Sequence, residues 1–143
     1  MKPLFETPAK LVSPALDAQK LFDAQKFHET VAFCEKELVS LETQIPATRS
    51  VRDKSLRDAE PSSAPFQYYA LTLILVNALA ALQEWKAAKQ ALGKYRVHFP
   101  RDPWGFRAGA EVTRRDPQVK DKAAIQRAIE LLEGEAERLE DKH

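Results

Sequence analysis

From Tyr68 to Leu82 the chain is apolar at every position except Thr72 and Asn77. A helix built from this run has no polar face, so neighbours must cover it on more than one side. The run is shorter than the ~20 residues that cross a bilayer, which favours a buried core helix over a membrane span. The rest of the chain must therefore supply helices that enclose it. Only 4 of the 143 residues are glycine, while alanine and leucine are plentiful. That balance favours helix over strand. A single domain of this length buries roughly 68–70% of the surface of its unfolded chain, so no disulfide or metal is needed to hold it.

Proline punctuation sets the boundaries. Ser13-Pro14, Asp102-Pro103 and Asp116-Pro117 each place a capping side chain before a proline, and Ala64-Pro65 follows Ser62 and Ser63. A Ser or Asp oxygen accepts from the orphan N–H groups of a first turn, where proline's missing donor costs nothing. These four marks, with apolar spacings of three and four, predict helices over 14–24, 27–43, 65–82, 85–98, 103–113 and 117–139. Gly105 and Gly109 weaken the fifth. Val31, Cys34, Leu38 and Leu41 stripe the second helix; Ala88, Leu92, Tyr95 and Phe99 stripe the fourth. The fold class is all-α: about six helices stacked as antiparallel hairpins, because short connections force each pair antiparallel. Residues 1–12 form an N-terminal arm, in which Leu4, Phe5, Leu11 and Val12 are able to pack on the body. Residues 13–143 form a single helical domain with a loop insertion at 45–64, rich in serine and alternating charge.

The stretch from Leu71 to Pro100 resembles a tetratricopeptide repeat. Leu75 and Leu79 stand at the apolar places of the first helix, Trp85 at the aromatic after the turn, Ala88 at the small residue of the second helix and Pro100 at the closing proline. Val76 replaces the usual glycine and Tyr95 an alanine. Leu21, Phe27 and Thr30 repeat the pattern more weakly in the first hairpin, 58 residues before Trp85 rather than at the family's own period. The resemblance implies a superhelical stack with a concave face that binds a peptide or protein. It also places Trp85 between its helix pair, near Leu79 and Leu82. The asparagine with which some members clamp a terminal carboxylate falls at Ile74, so that activity is not carried over.

No pattern points to catalysis. His28 and Cys34 are six apart, about 240° around a helix, and do not face each other. Cys34 lies on an apolar stripe, as a small buried hydrophobe does. His28, His98 and His143 show no metal-ligand spacing, and no glycine-rich loop offers a phosphate site. Glu133, Glu137 and Glu140 form a solvated row. No cofactor or metal is expected. A lone cysteine makes a reducing cytoplasm the default.

The net charge of +1 offers no general attraction to nucleic acid. Charge is uneven, however. Lys86, Lys89, Lys94, Arg96, Arg101, Arg107, Arg114 and Arg115 outnumber Asp102, Glu111 and Asp116 in a segment that also holds Tyr95, Phe99, Trp104 and Phe106. Basic groups among aromatics suit an acidic peptide. Asn77, alone and strongly polar in an apolar helix, is either a groove contact or an interhelical hydrogen-bonding residue. The candidate partner-binding residues are Asn77, Lys89, Arg96, Arg101, Trp104 and Arg107. The expected function is a protein-binding adaptor or chaperone recognising a segment of a partner. The alternatives are a bacterial secretion-type chaperone that holds a substrate helix, and a self-associating scaffold subunit.

Overall fold

A computed structural model describes residues 3–45 and 59–140. It contains six helices: α1 (Ala15–Asp23), α2 (Phe27–Glu42), α3 (Ala64–Ala81), α4 (Trp85–His98), α5 (Pro103–Arg115) and α6 (Lys122–Glu140). The described residues contain no strand. Each helix packs on the next, and α1 also packs on α3. Most of the expected 45–64 insertion, residues 46–58, lies outside the described residues.

The apolar run sits at the centre. Every side chain from Phe66 to Leu79 is buried, and burying each large apolar one stabilises the fold by about 1.5–3 kcal/mol. Ser63 caps the helix by accepting from the N–H of Phe66, and Pro65 occupies the first turn. By length and hydropathy α3 matches a membrane-crossing helix, contrary to the reading of the run as too short. Core helices of soluble proteins meet the same criteria, and 78% of α3 is buried among its neighbours.

The two turns that close the first hairpins share one geometry. After α1, Gln25 takes φ 61°; after α3, Gln83 takes φ 60°. At the first turn Gln25 N–H donates to Phe22 C=O and Lys26 N–H to Leu21 C=O. At the second, Gln83 N–H donates to Ala80 C=O and Glu84 N–H to Leu79 C=O. Both are Schellman endings, which satisfy the last carbonyls and reverse the chain through one left-handed residue. The residues that follow also correspond. Phe27 and Trp85 are half-buried, Thr30 and Ala88 buried, and Cys34 and Leu92 buried, each pair 58 positions apart.

Two sequence expectations need correction. Asp116-Pro117 ends a helix rather than starting one: Asp116 is the C-cap of α5, and α6 begins at Lys122. The cap of α6 is Asp121, whose carboxylate accepts from Ala124 N–H at 3.1 Å. Gln118, Val119 and Lys120 carry no apolar period to continue a helix. Ser13 makes no capping bond, because Pro14 itself occupies the N-cap of α1. Trp85 is half-buried and packs against the core, and it also lines a cavity with Pro3, Leu4 and Phe22 beside Asn77, Ala80 and Ala81.

The glycines that seemed to weaken α5 fit its packing on α4. A Cβ on Gly105 would lie 2.9 Å from Arg96 Cγ and 3.0 Å from Tyr95 Cδ1. Glycine there lets α4 approach. Across this contact Tyr95 O–H donates to the buried Asp102 carboxylate, which also caps α5 by accepting from Trp104 N–H at 3.1 Å. The helix N-terminus adds favourable dipole field to that carboxylate.

The left-handed glutamines give the first test. A non-glycine residue in that region costs roughly 1–2 kcal/mol. Gln83→Gly should therefore raise the thermal midpoint, and Gln83→Val should lower it. The same order should hold at Gln25. A neutral or destabilising Gln83→Gly in a melting experiment would contradict this turn geometry.

Candidate functional site

Two carboxamides on α3 hold the N-terminal arm. Asn77, 2% exposed, accepts from Phe5 N–H through Oδ1 at 2.8 Å and donates through Nδ2 to Phe5 C=O at 2.9 Å. Gln67, also buried, accepts from Ala15 N–H at 2.9 Å and donates to the carbonyls of Val12 at 3.0 Å and Pro61 at 2.8 Å. Thr7 Oγ1 donates to Gln19 Oε1 of α1 at 3.0 Å. The arm thus crosses the odd-numbered helices α1, α3 and α5 without secondary structure of its own. Of the four apolar arm residues expected to pack, Leu4, Phe5 and Leu11 do so, while Val12 is exposed.

Phe5 is the anchor. Its ring meets Trp104 edge-on, centroids 5.8 Å apart. Trp104 in turn meets Tyr69 and Tyr95, each at 5.0 Å. Edge-to-face pairs of this kind add about 0.5–1.5 kcal/mol each beyond area burial.

Two concavities flank the arm. An open one of about 640 Å³ lies between arm residues Phe5–Ala9 and the side chains of Tyr69, Leu73, Trp104, Arg107 and Ala108. On the other side of Asn77, a cavity of about 230 Å³ is lined by Pro3, Leu4, Phe22, Ala80, Ala81, Trp85 and Arg115. Trp85 Nε1–H is buried and has no acceptor.

Three of the four basic candidates, Lys89, Arg96 and Arg107, are engaged within the fold. Lys89 pairs with Asp116 at 2.7 Å. Arg96 lies over Phe106, 5.6 Å from the ring centre, and donates to Gly105 C=O at 2.9 Å; burial pushes its guanidinium pKa down. Arg107 forms a two-pronged pair with Glu140, one arm at 3.0 Å. Arg114 bridges Glu111 and Glu133. Arg101 is exposed on the turn before α5. The acidic row on α6 is therefore partly an interhelical counter-charge: Glu133 and Glu140 face arginines of α5.

Other sequence candidates fall apart spatially. Cys34 is fully buried, and burial, with Glu35 and Glu37 adding, pushes its thiol up to about 12. His28 is exposed. His98 meets Glu42 of α2 at 3.1 Å. Among the described residues no group of three or more His, Cys, Asp or Glu is placed to hold a metal. A shallow groove of about 270 Å³ runs between α2 and α4 over α3, lined by Leu38, Tyr68, Leu75 and Ala91, with the unpartnered hydroxyl of Thr72 at its floor.

Of the six candidate residues, Asn77, Trp104 and Arg107 come together around the arm, and Lys89, Arg96 and Arg101 do not. Sequence reasoning missed Gln67, although a second carboxamide in a core helix carries the same signal as Asn77. No family model, curated protein or solved structure matches this chain.

The Lys89–Asp116 pair has a pH signature. Burial opposes ionisation of Asp116, but the Lys89 ammonium and a bond from Gln118 N–H at 2.8 Å outweigh it and hold the carboxyl below its usual range. The native state therefore binds fewer protons there than the unfolded chain. The stabilisation is complete above the ordinary aspartate value near about 4 and fades as pH falls through the lower native value. Lys89→Met should lower the melting midpoint at neutral pH, with the gap to wild type closing in acid. A gap that stays constant across the series would remove this pair from the stability of the α4–α5 contact.

Proposed function

We propose that this chain is a tetratricopeptide-like adaptor or chaperone of the cytoplasm, and that its odd-numbered helices bind an extended segment of a partner protein. Support for the repeat reading comes from the two matching Schellman turns and from the paired positions 58 residues apart. The contacts of α1 with α3 and of each helix with the next fit a stack of hairpins.

One observation carries the binding reading: Asn77 engages both main-chain groups of a single residue, Phe5. A carboxamide has a donor and an acceptor side by side. Paired this way it recognises an extended backbone whatever the side chain, as a neighbouring strand would. Trp104 beside it adds an aromatic wall. Both side chains are fixed, Asn77 by its place in the core helix and Trp104 by Tyr69 and Tyr95, so little ordering cost remains for a ligand.

A random peptide library displayed on phage and panned on the immobilised full chain tests this. Wild type should enrich peptides with an aromatic residue, and Asn77→Asp, which loses the donor, should not. The reading falls if nothing is enriched, or if Asn77→Asp enriches the same sequences.

A further inference from the structure

The arm fits its seat incompletely. It satisfies Asn77 and covers Trp104, yet it leaves Trp85 Nε1–H without an acceptor and the cavity of about 640 Å³ open beside Thr7–Ala9. A segment whose only role was to complete the core would be expected to supply that acceptor, since buried donors without partners cost about 1–3 kcal/mol. The arm lines the larger cavity with Phe5 and Glu6 and then with three small or cyclic residues, Thr7, Pro8 and Ala9. The wall opposite is apolar and aromatic, with Arg107 among its lining residues.

We propose that the arm is an internal stand-in for a partner segment, and that the two compete for one seat. This rests on the peptide-binding reading above. The partner segment is extended and places an aromatic residue where Phe5 lies, its main chain paired with Asn77 and its ring on Trp104. Before the aromatic it offers a carbonyl to Trp85 Nε1–H. Two to four residues after the aromatic it carries a large apolar side chain that fills the cavity. It is thus an arm-like peptide with the two gaps closed. The tether keeps the arm at an effective concentration on the order of millimolar, so weaker ligands are excluded and only better-fitting segments displace it.

The probes are two synthetic peptides, one with the arm sequence Pro-Leu-Phe-Glu-Thr-Pro and one with leucine in place of its threonine. Both tryptophans of the chain line the seat, so their emission reports occupancy. In the full chain carrying Phe5→Ala, the arm peptide should bind at least roughly tenfold more tightly than to wild type, because the competitor has lost its anchor. The leucine peptide should bind more tightly still, and Asn77→Asp combined with Phe5→Ala should bind neither. In wild type, excess leucine peptide should speed amide exchange at Leu4–Thr7 as the arm leaves. Equal binding to wild type and Phe5→Ala would overturn the competition, as would unchanged exchange in the arm. A concentration-dependent dimer of wild type that disappears in Phe5→Ala would assign the seat to the arm of a second copy and overturn it also. If both probes fail while library peptides still bind through Asn77, the binding reading stands and the stand-in does not.

Discussion

A helix without a polar face cannot exist at a surface in water, and α3 imposes that condition on everything around it. Its fourteen consecutive buried residues need α1, α2 and α4 alongside them, and the aromatic cluster of Tyr68, Tyr69, Tyr95, Phe99 and Trp104 closes the end towards α5. What remains uncovered on the side of the odd-numbered helices is covered by the arm. The same enclosure sets the chemistry available there. Asn77 and Gln67 sit where water cannot solvate their amides, so each must find backbone partners. Asn77 finds them on Phe5, and Gln67 on Val12, Pro61 and the first N–H of α1 at Ala15. A requirement of the core thereby places hydrogen-bonding groups that engage main chain in extended form.

Much of this was legible in the sequence. The apolar run located the core helix, and the stripe Ala88, Leu92, Tyr95 and Phe99 is buried along its whole length. Asp102-Pro103 opens α5 as its cap chemistry implies. Asp116-Pro117 misled for a physical reason: an aspartate before proline satisfies a turn as readily as a helix start, and Lys89 on a distant helix made the turn the better use of this one. The surroundings of Trp85 also include Pro3, Leu4 and Phe22, which are far away in sequence and which nothing local marks. The role of Phe5 was hidden likewise. Its partners Asn77 and Trp104 lie 72 and 99 positions away, and nothing local marks a residue of an arm as a core contact. Gly105 looked like a defect because its contact partner, Arg96, belongs to another helix.

The basic segment shows how charge counts lose meaning once a chain folds. An excess of lysine and arginine between α4 and the end of α5 reads as a surface for acidic ligands. In the structure Lys89 pairs with Asp116, Arg107 with Glu140 and Arg114 with Glu111 and Glu133. Asp116 and Glu111 lie within the segment in which the excess was counted, but Glu133 and Glu140 lie on α6, beyond it. Exposed pairs of this type contribute little stability singly, about 0–1 kcal/mol each. Two of them, Arg107–Glu140 and Arg114–Glu133, join α5 to α6, which buries Ile129, Ala136 and Leu139.

The last helix stands apart from the main core. Its buried residues belong to a separate contact with α5, and Leu131 points outward with 76% of its surface exposed. Among the described residues α6 packs mainly on α5, and an element held by one neighbour opens at lower free energy than the rest. Opening of α6 would carry Glu140 away from Arg107, and Arg107 lines the cavity beside the arm. The cavity would then face an uncompensated positive charge. Opening of α6 and the electrostatic potential beside the N-terminal arm are thus linked through one ion pair, and salt acts on both.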